Sequence, residues 1–219
     1  MQKILTAMVL AGLALGAQAS NDDAQALDRA RHVLDHFVNE VRTLQADFAQ
    51  SLVDVDGIVV EESLGRLVIR KPGQFLWHYS EPYEQLLLAD GNDLWSYDVD
   101  LEQVVIKPQD EVLVSTPALL LGGSANALAD FTIIEAVTHN STFWIRLRPT
   151  QEDAGFTALE LGFDDEQLSR MMFYDSLGQT TLIALRDVVI NAPVADTVFV
   201  LDIPPGVDIV GEPAAAAGP

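Results

Sequence analysis

Two histidines near the start of the chain have the spacing of a metal site. His32 and His36 are four residues apart with Asp35 beside them, and side chains at that spacing share one face of a helix, as in many zinc sites. The apolar stripe of this segment centres on Leu34, however, and about 100° per residue puts both histidines on the solvent side. A hydrolytic zinc also needs a third ligand and a cleft. We therefore expect neither a metal site nor an enzyme.

Other patterns that could support chemistry are weaker. Asp164-Asp165-Glu166 lacks the ligand spacing of a calcium loop and is expected to be a solvated hairpin turn. Asn140-Ser141-Thr142 matches the glycosylation sequon, which is common by chance. The sequence contains no nucleophile elbow, no phosphate-binding glycine loop and no cysteine. We expect no catalytic residue and no cofactor.

The composition excludes several classes of partner. The formal charge is −21 over 219 residues, and such a field repels nucleic acid and anionic membranes.

Residues 1–19 combine Lys3, an apolar run and a small-x-small site at Ala17–Ala19, which predicts a secretory signal peptide. We expect a single domain over residues 20–210 and a disordered tail over 211–219. Without a cysteine to carry acyl chains, the exported protein is expected to diffuse freely as a monomer.

The remaining chain predicts an α+β fold dominated by an antiparallel meander. Apolar residues at helical spacing indicate an amphipathic helix over Leu27–Leu44. Short apolar runs between turn signals predict twelve strands: Ala46–Val55, Val59–Ile69, Gln74–Tyr79, Glu84–Ala89, Leu94–Tyr97, Gln103–Lys107, Phe131–Val137, Phe143–Leu147, Phe156–Phe163, Leu168–Tyr174, Thr180–Ile190 and Val198–Ile203. A short helix, apolar almost all round, is expected over Pro117–Leu121. Several strands are apolar on both faces, which fits either a sandwich core or a lined cavity.

Three aromatic residues follow a Pro-Gly break at alternate positions. Phe75, Trp77 and Tyr79 point to one face of a strand. Ordinary core packing and a binding surface both explain this pattern.

This segment and those after it resemble the periplasmic outer-membrane lipoprotein carrier family, the LolA-like proteins. The resemblance extends from about Leu44 to Val210. It is carried by Arg70-Lys71-Pro72, Phe75 and Trp77, Pro82, Asp90-Gly91, Leu94-Trp95 with Tyr97, Glu102-Gln103-Val104, Thr116-Pro117, and Asp175 with Gly178-Gln179.

The resemblance implies an incomplete, curved antiparallel β-barrel of about 11–12 strands whose apolar cavity is closed by helices forming a lid. It also implies a soluble periplasmic chaperone. Such a carrier takes triacylated lipoproteins from an ATP-driven exporter of the inner membrane to a receptor in the outer membrane. With this resemblance a cavity becomes the preferred explanation of the surplus apolar residues.

The resemblance also suggests site residues. Phe75 and Trp77 are expected at the cavity or its entrance, and Leu119, Leu120 and Leu121 in the lid. The family has an arginine before the proline, which holds the lid through backbone carbonyls, whereas this chain has Lys71. Lysine offers a point charge in place of a rigid fork, so we expect a weaker or differently aimed latch.

Two other functions are compatible with this predicted fold. The outer-membrane receptor of the same pathway is itself a lipoprotein, and the missing cysteine opposes that assignment. A periplasmic module that senses lipid or lipoprotein with the same half-barrel is the alternative function that stays open.

Overall fold

The computed structural model describes residues 11–109, 127–151 and 155–214. Helix α1 spans Ala11–Asn39. The strands are β1 (Thr43–Val53), β2 (Val59–Arg70), β3 (Gln74–Glu81), β4 (Gln85–Asp90), β5 (Asp93–Asp98), β6 (Gln103–Pro108), β7 (Phe131–His139), β8 (Thr142–Pro149), β9 (Phe156–Asp164), β10 (Gln167–Asp175), β11 (Thr180–Ile190) and β12 (Asp208–Val210). Single turns of 3-10 helix lie at Ala127–Asp130 and Asp196–Phe199.

The twelve strands of the described ranges form one curved sheet that does not close. Its order is β12-β6-β5-β4-β3-β2-β1-β11-β10-β9-β8-β7, so β7 and β12 are its two edges. Consecutive strands pair antiparallel from β1 to β6 and from β7 to β11, β1 also pairs antiparallel with β11, and β12 runs parallel to β6. The expected α+β class and open, antiparallel-rich sheet are therefore present.

Helix α1 lies on one face of the sheet, which we call the helix-side face. Its buried apolar residues recur at helical spacing and are Ala30, Val33, Leu34, Phe37 and Val38. They pack in a single cluster with side chains from eight strands, β1 to β4 and β8 to β11. The helix ends at Asn39 rather than at the predicted Leu44, because Leu44 is already the second residue of β1. The first turns of α1 fall in the predicted signal peptide, so the division at residue 19 stays a prediction.

Eleven predicted strands are present with bounds shifted by at most three residues at an end, but the twelfth is wrong. Residues 196–199 form a 3-10 turn in place of the start of Val198–Ile203, and the last strand is Asp208–Val210. Phe199 is buried whereas Val200 is 69 % exposed. Phe199, together with Leu201 and Ile203, anchors an irregular segment on the sheet, and this segment does not join the hydrogen-bonded ladder.

The run Leu86-Leu87-Leu88 is apolar on both faces because both faces of β4 are covered. Leu87 packs against the cluster beneath α1. On the other face, which we call the outer face, a second cluster forms around Tyr97, Val104 and Ile106. The C-terminal segment covers it, and the partly buried residues packed there are Leu86, Trp95, Val99, Leu201, Ile203 and Val207.

No helix within the described ranges is both long enough and apolar enough to cross a bilayer.

Candidate functional site

An aromatic cluster lies on the helix-side face of the sheet, made by Phe48, Trp77 and Tyr79. The ring centroid of Phe48 is 5.3 Å from that of Trp77 and 5.2 Å from that of Tyr79, both edge-on. Trp77 and Tyr79 stack at 6.4 Å. Strand alternation aligns them, because Trp77 pairs with Leu67 and Tyr79 with Gly65 in the register of β2 and β3.

Gly65 makes room for this cluster. It pairs with Phe48 across β1 and β2, and a Cβ added at this position would lie 2.6 Å from Cζ of Phe48 and against the carbonyl oxygen of His78. A glycine under an aromatic ring on the neighbouring strand lets the ring lie flat on the sheet. The sequence pattern offered no signal for this pairing, and Phe48 was not among the predicted site residues.

Phe75 and Trp77, which were predicted at the cavity or its entrance, lie on the helix-side face of the sheet, and both are covered. Their residues are 5 % and 8 % exposed. The indole Nε1 of Trp77 is buried and has no hydrogen-bond acceptor among the described residues, although buried tryptophan N–H groups usually find one. Phe75 and Trp77 are therefore buried in the same apolar cluster as the inward face of α1.

Lys71 ties this region to the helix. Its Nζ donates to the carbonyl oxygens of Phe37 at 2.6 Å and Val38 at 3.3 Å. Both carbonyls belong to the last turn of α1, where four C=O groups lack helical partners and the helix dipole favours a cation. The ammonium also lies 4.3 Å from the centre of the Phe37 ring. Lysine thus bonds backbone carbonyls of a helix that covers the sheet.

Burial opposes the charge of Lys71, although the carbonyls and the ring favour it. Burial, with a smaller contribution from the positive charge of Arg42, lowers the pKa of Lys71 from 10.5 to about 8. The neighbouring Arg70 does not share this contact, as expected from strand alternation. Its guanidinium bonds Asp196 at 2.6 Å and lies 4.6 Å from the Phe199 ring, and it thereby holds the C-terminal segment.

A cleft of about 450 Å³ opens between α1 and the β7 edge. Its wall is mostly apolar, formed by Leu34, Leu128, Phe131, Ile133 and Leu147, with Arg31, His32 and Asp35 at the rim. This is a place in the described structure where apolar side chains of α1 and of the sheet border open space.

Three further groups of residues were singled out by the sequence. Leu119, Leu120 and Leu121, expected in the lid, lie outside the described residues. His32 and His36 are exposed on α1 as predicted. Across the described ranges no group of three or more His, Cys, Asp or Glu side chains could hold a metal ion. Asp165 and Glu166 form the β9–β10 turn with positive φ angles, as expected for a hairpin.

Comparison with known proteins defines the class. Residues 39–202 match the family model described as "Outer membrane lipoprotein carrier protein LolA". The chain belongs to this family.

Relatives match over nearly the full length. An outer-membrane lipoprotein carrier protein of Pseudomonas aeruginosa is 36 % identical over 211 residues, covering 96 % of this chain and 100 % of the relative. One from Methylococcus capsulatus is 38 % identical over 176 residues, covering 80 % and 85 %. A crystal structure of an uncharacterised conserved protein from Thermus thermophilus has the same fold, with a TM-score of 0.54, 17 % identity, and coverage of 83 % of this chain and 98 % of that one.

Proposed function

We propose that this protein is a periplasmic chaperone that binds the acyl chains of lipoproteins released from the inner membrane and carries them to the outer membrane. The partners implied are triacylated lipoproteins, an ATP-driven exporter of the inner membrane and a receptor in the outer membrane. The protein is proposed to act as a monomer without cofactor or catalysis. Family membership favours this carrier over the lipid-sensing module.

The cost of exposing hydrocarbon to water explains why a carrier is needed. Burial of one methylene is worth about 0.8 kcal/mol, so an acyl chain of about 14 methylenes in water costs on the order of 11 kcal/mol. A protein that moves such chains must offer a comparable apolar surface. It must also release them without a nucleotide.

One observation supports the proposal most directly: the helix-side face is apolar across eight strands and is covered by a helix held at its end by Lys71. We propose that α1 is part of the lid, and that Lys71 is its latch. Phe75 and Trp77 are then part of the surface that receives hydrocarbon once α1 moves. The cleft between α1 and β7 is the proposed place where a chain first inserts.

Recovery of the protein with its cargo tests this function. The protein is purified from periplasm, and bound molecules are identified by mass spectrometry; triacylated lipoproteins should accompany it. Phe75→Glu should reduce their amount, because it places a charge on the proposed hydrocarbon surface. Leu182→Glu controls for the added charge, since Leu182 is 37 % exposed on β11; because Phe75 is buried, loading is compared only where circular dichroism shows that Phe75→Glu is folded. Recovery of unacylated proteins alone, or equal loading of both variants, would contradict the carrier function.

A further inference from the structure

One end of the sheet exposes apolar side chains in four successive turns. We call it the hairpin end; it comprises residues 54–58, 82–84, 99–102 and 176–179. The exposed fractions are 68 % for Val55, 59 % for Ile58, 71 % for Tyr83, 71 % for Leu101 and 78 % for Leu177. Single exposed apolar residues are ordinary, but a group gathered at one end of a molecule marks an interaction site.

A cleft of about 540 Å³ opens at this end, between the β3–β4 and β5–β6 turns. Pro82, Tyr83 and Leu101 contribute apolar wall, and Tyr79 and Ser63 also line it. Tyr79 belongs to the aromatic cluster as well, 5.2 Å from Phe48. The cleft therefore adjoins the aromatic cluster through Tyr79.

The cleft is negatively charged without local compensation. Glu61, Asp98 and Asp100 line it, and no lysine or arginine of the described segments does. The four turns of the hairpin end likewise contain no basic residue. Arg70 and Lys71 belong to the opposite end of the sheet, beside the β2–β3 turn. Carboxylates at the rim of an apolar cleft select a ligand that combines positive charge with apolar groups.

We infer that this cleft binds an extended, basic peptide segment of the lipoprotein cargo, next to its acylated end. The inference rests on the proposed function, because the polypeptide must leave the carrier close to the surface that holds its acyl chains. Tyr83 and Leu101 contact apolar side chains of the segment, and the three carboxylates face its lysines or arginines. An acidic segment is repelled. The cleft thus makes the carrier discriminate among cargos by the charge of their linkers.

Binding of short unlipidated peptides tests this assignment by fluorescence anisotropy. The first peptide alternates lysine and leucine, the second has glutamate for lysine, and the third has serine for leucine. The first should bind, and binding should weaken as salt rises. The second and third should bind at least about tenfold more weakly. Equal binding of the first and second peptides would overturn the inference.

A matched pair of variants locates the binding. Glu61→Gln with Asp100→Asn removes two charges at the cleft and should weaken the lysine–leucine peptide about five- to tenfold. Asp165→Asn with Glu166→Gln removes two charges at the distant β9–β10 turn and should leave it unchanged. Equal weakening in both variants would show a general charge effect and overturn the site.

Two further measurements test the carrier function independently of the peptide site, and test a membrane as the occupant of the cleft. A fluorescent fatty acid reports the hydrocarbon surface independently; if it fails to bind while the peptide result holds, the carrier function fails and the cleft assignment survives as a peptide site. Sedimentation with vesicles of zwitterionic phosphatidylcholine tests a membrane as occupant. Vesicle binding lost on Tyr83→Ser with Leu101→Ser would overturn the peptide assignment.

Discussion

The ammonium nitrogen of Lys71 lies 2.6 Å from the carbonyl oxygen of Phe37 and 4.3 Å from the centre of the same residue's ring. One lysine on the β2–β3 turn therefore contacts both the backbone and the side chain of the last turn of α1. In the family this position is expected to carry an arginine. Here a point charge makes the same kind of contact with helix carbonyls.

Removal of this contact should loosen the end of α1. In Lys71→Met both bonds are lost, and a single hydrogen bond from a charged donor contributes about 1.5–3 kcal/mol. Amide hydrogen exchange over residues 34–39 should therefore accelerate by about tenfold or more. Lys107→Met is the control, because Lys107 is exposed on β6. The latch would be refuted by identical exchange in the two variants.

The pKa of Lys71 predicts a pH dependence of stability. Because burial lowers this pKa to about 8 in the folded protein, against 10.5 as its ordinary value, the unfolded chain holds more protons between these values. The free energy of unfolding contributed by Lys71 therefore rises from about pH 8 to 10.5. Urea unfolding at about pH 7.5 and pH 10 should show this increase in the wild type.

Lys71→Arg provides the comparison for that measurement, since arginine stays protonated throughout the range. The difference in unfolding free energy between wild type and Lys71→Arg should grow in favour of the wild type as pH rises. A constant difference would mean that Lys71 titrates at its ordinary value.

Gly65→Ala should destabilise the protein and disturb the aromatic cluster. The added methyl meets Phe48 and the backbone of β3, and overpacking of this kind costs about 1–3 kcal/mol. Gly57→Ala is the control, because nothing lies within 4 Å of its added Cβ and only its positive φ is penalised. The near-ultraviolet circular dichroism spectrum, to which Trp77 contributes as one of three tryptophans, should change in Gly65→Ala alone. An unchanged spectrum would mean that the cluster does not depend on this glycine.

The acid stability of the β8–β10 region should depend on Thr142. Its hydroxyl donates to Asp164 at 2.7 Å, and Arg170 donates to the same carboxylate at 3.0 Å. The hydroxyl bond, ahead of the arginine, lowers the pKa of Asp164 below 3.8. The stabilisation is therefore present above that value and lost as pH falls through the folded pKa.

Thr142→Val should accordingly cost more stability at about pH 6 than at about pH 3, as measured by urea unfolding. Thr157→Val removes a hydroxyl bonded to the carbonyl of Tyr174 at 3.2 Å, so its cost should not vary with pH. If both variants behave alike, the bond from Thr142 to Asp164 has no role in acid stability.

Strand positions were predictable because alternation and turn residues are local properties of the sequence. The segment after Val198 was mistaken for a strand because its apolar residues face a second cluster, and an anchored irregular segment has the same composition. The run Leu86–Leu88 indicated two covered faces but not what covers them. The C-terminal segment that does so is far away in sequence, around Leu201 and Val207.

The site was predictable only in part, because some of its contacts join residues that are far apart in sequence. Alternation placed Phe75 and Trp77 on one face, and the resemblance drew attention to Lys71. Nothing in the sequence connects Lys71 with the carbonyls of Phe37 and Val38, because any residue supplies a carbonyl. The contribution of Phe48 depends on the register of β1 against β2, which hydrophobic pattern alone does not determine.

The pairing of β1 with β11 affects how the protein is made. Leu44 lies opposite Ile190, so the middle of the sheet cannot be completed until the ribosome has released most of the polypeptide. Contacts between residues this far apart in sequence form slowly during folding. A newly synthesised chain therefore stays unfolded for longer, which suits a polypeptide whose predicted signal peptide directs it through a membrane before it acquires its shape.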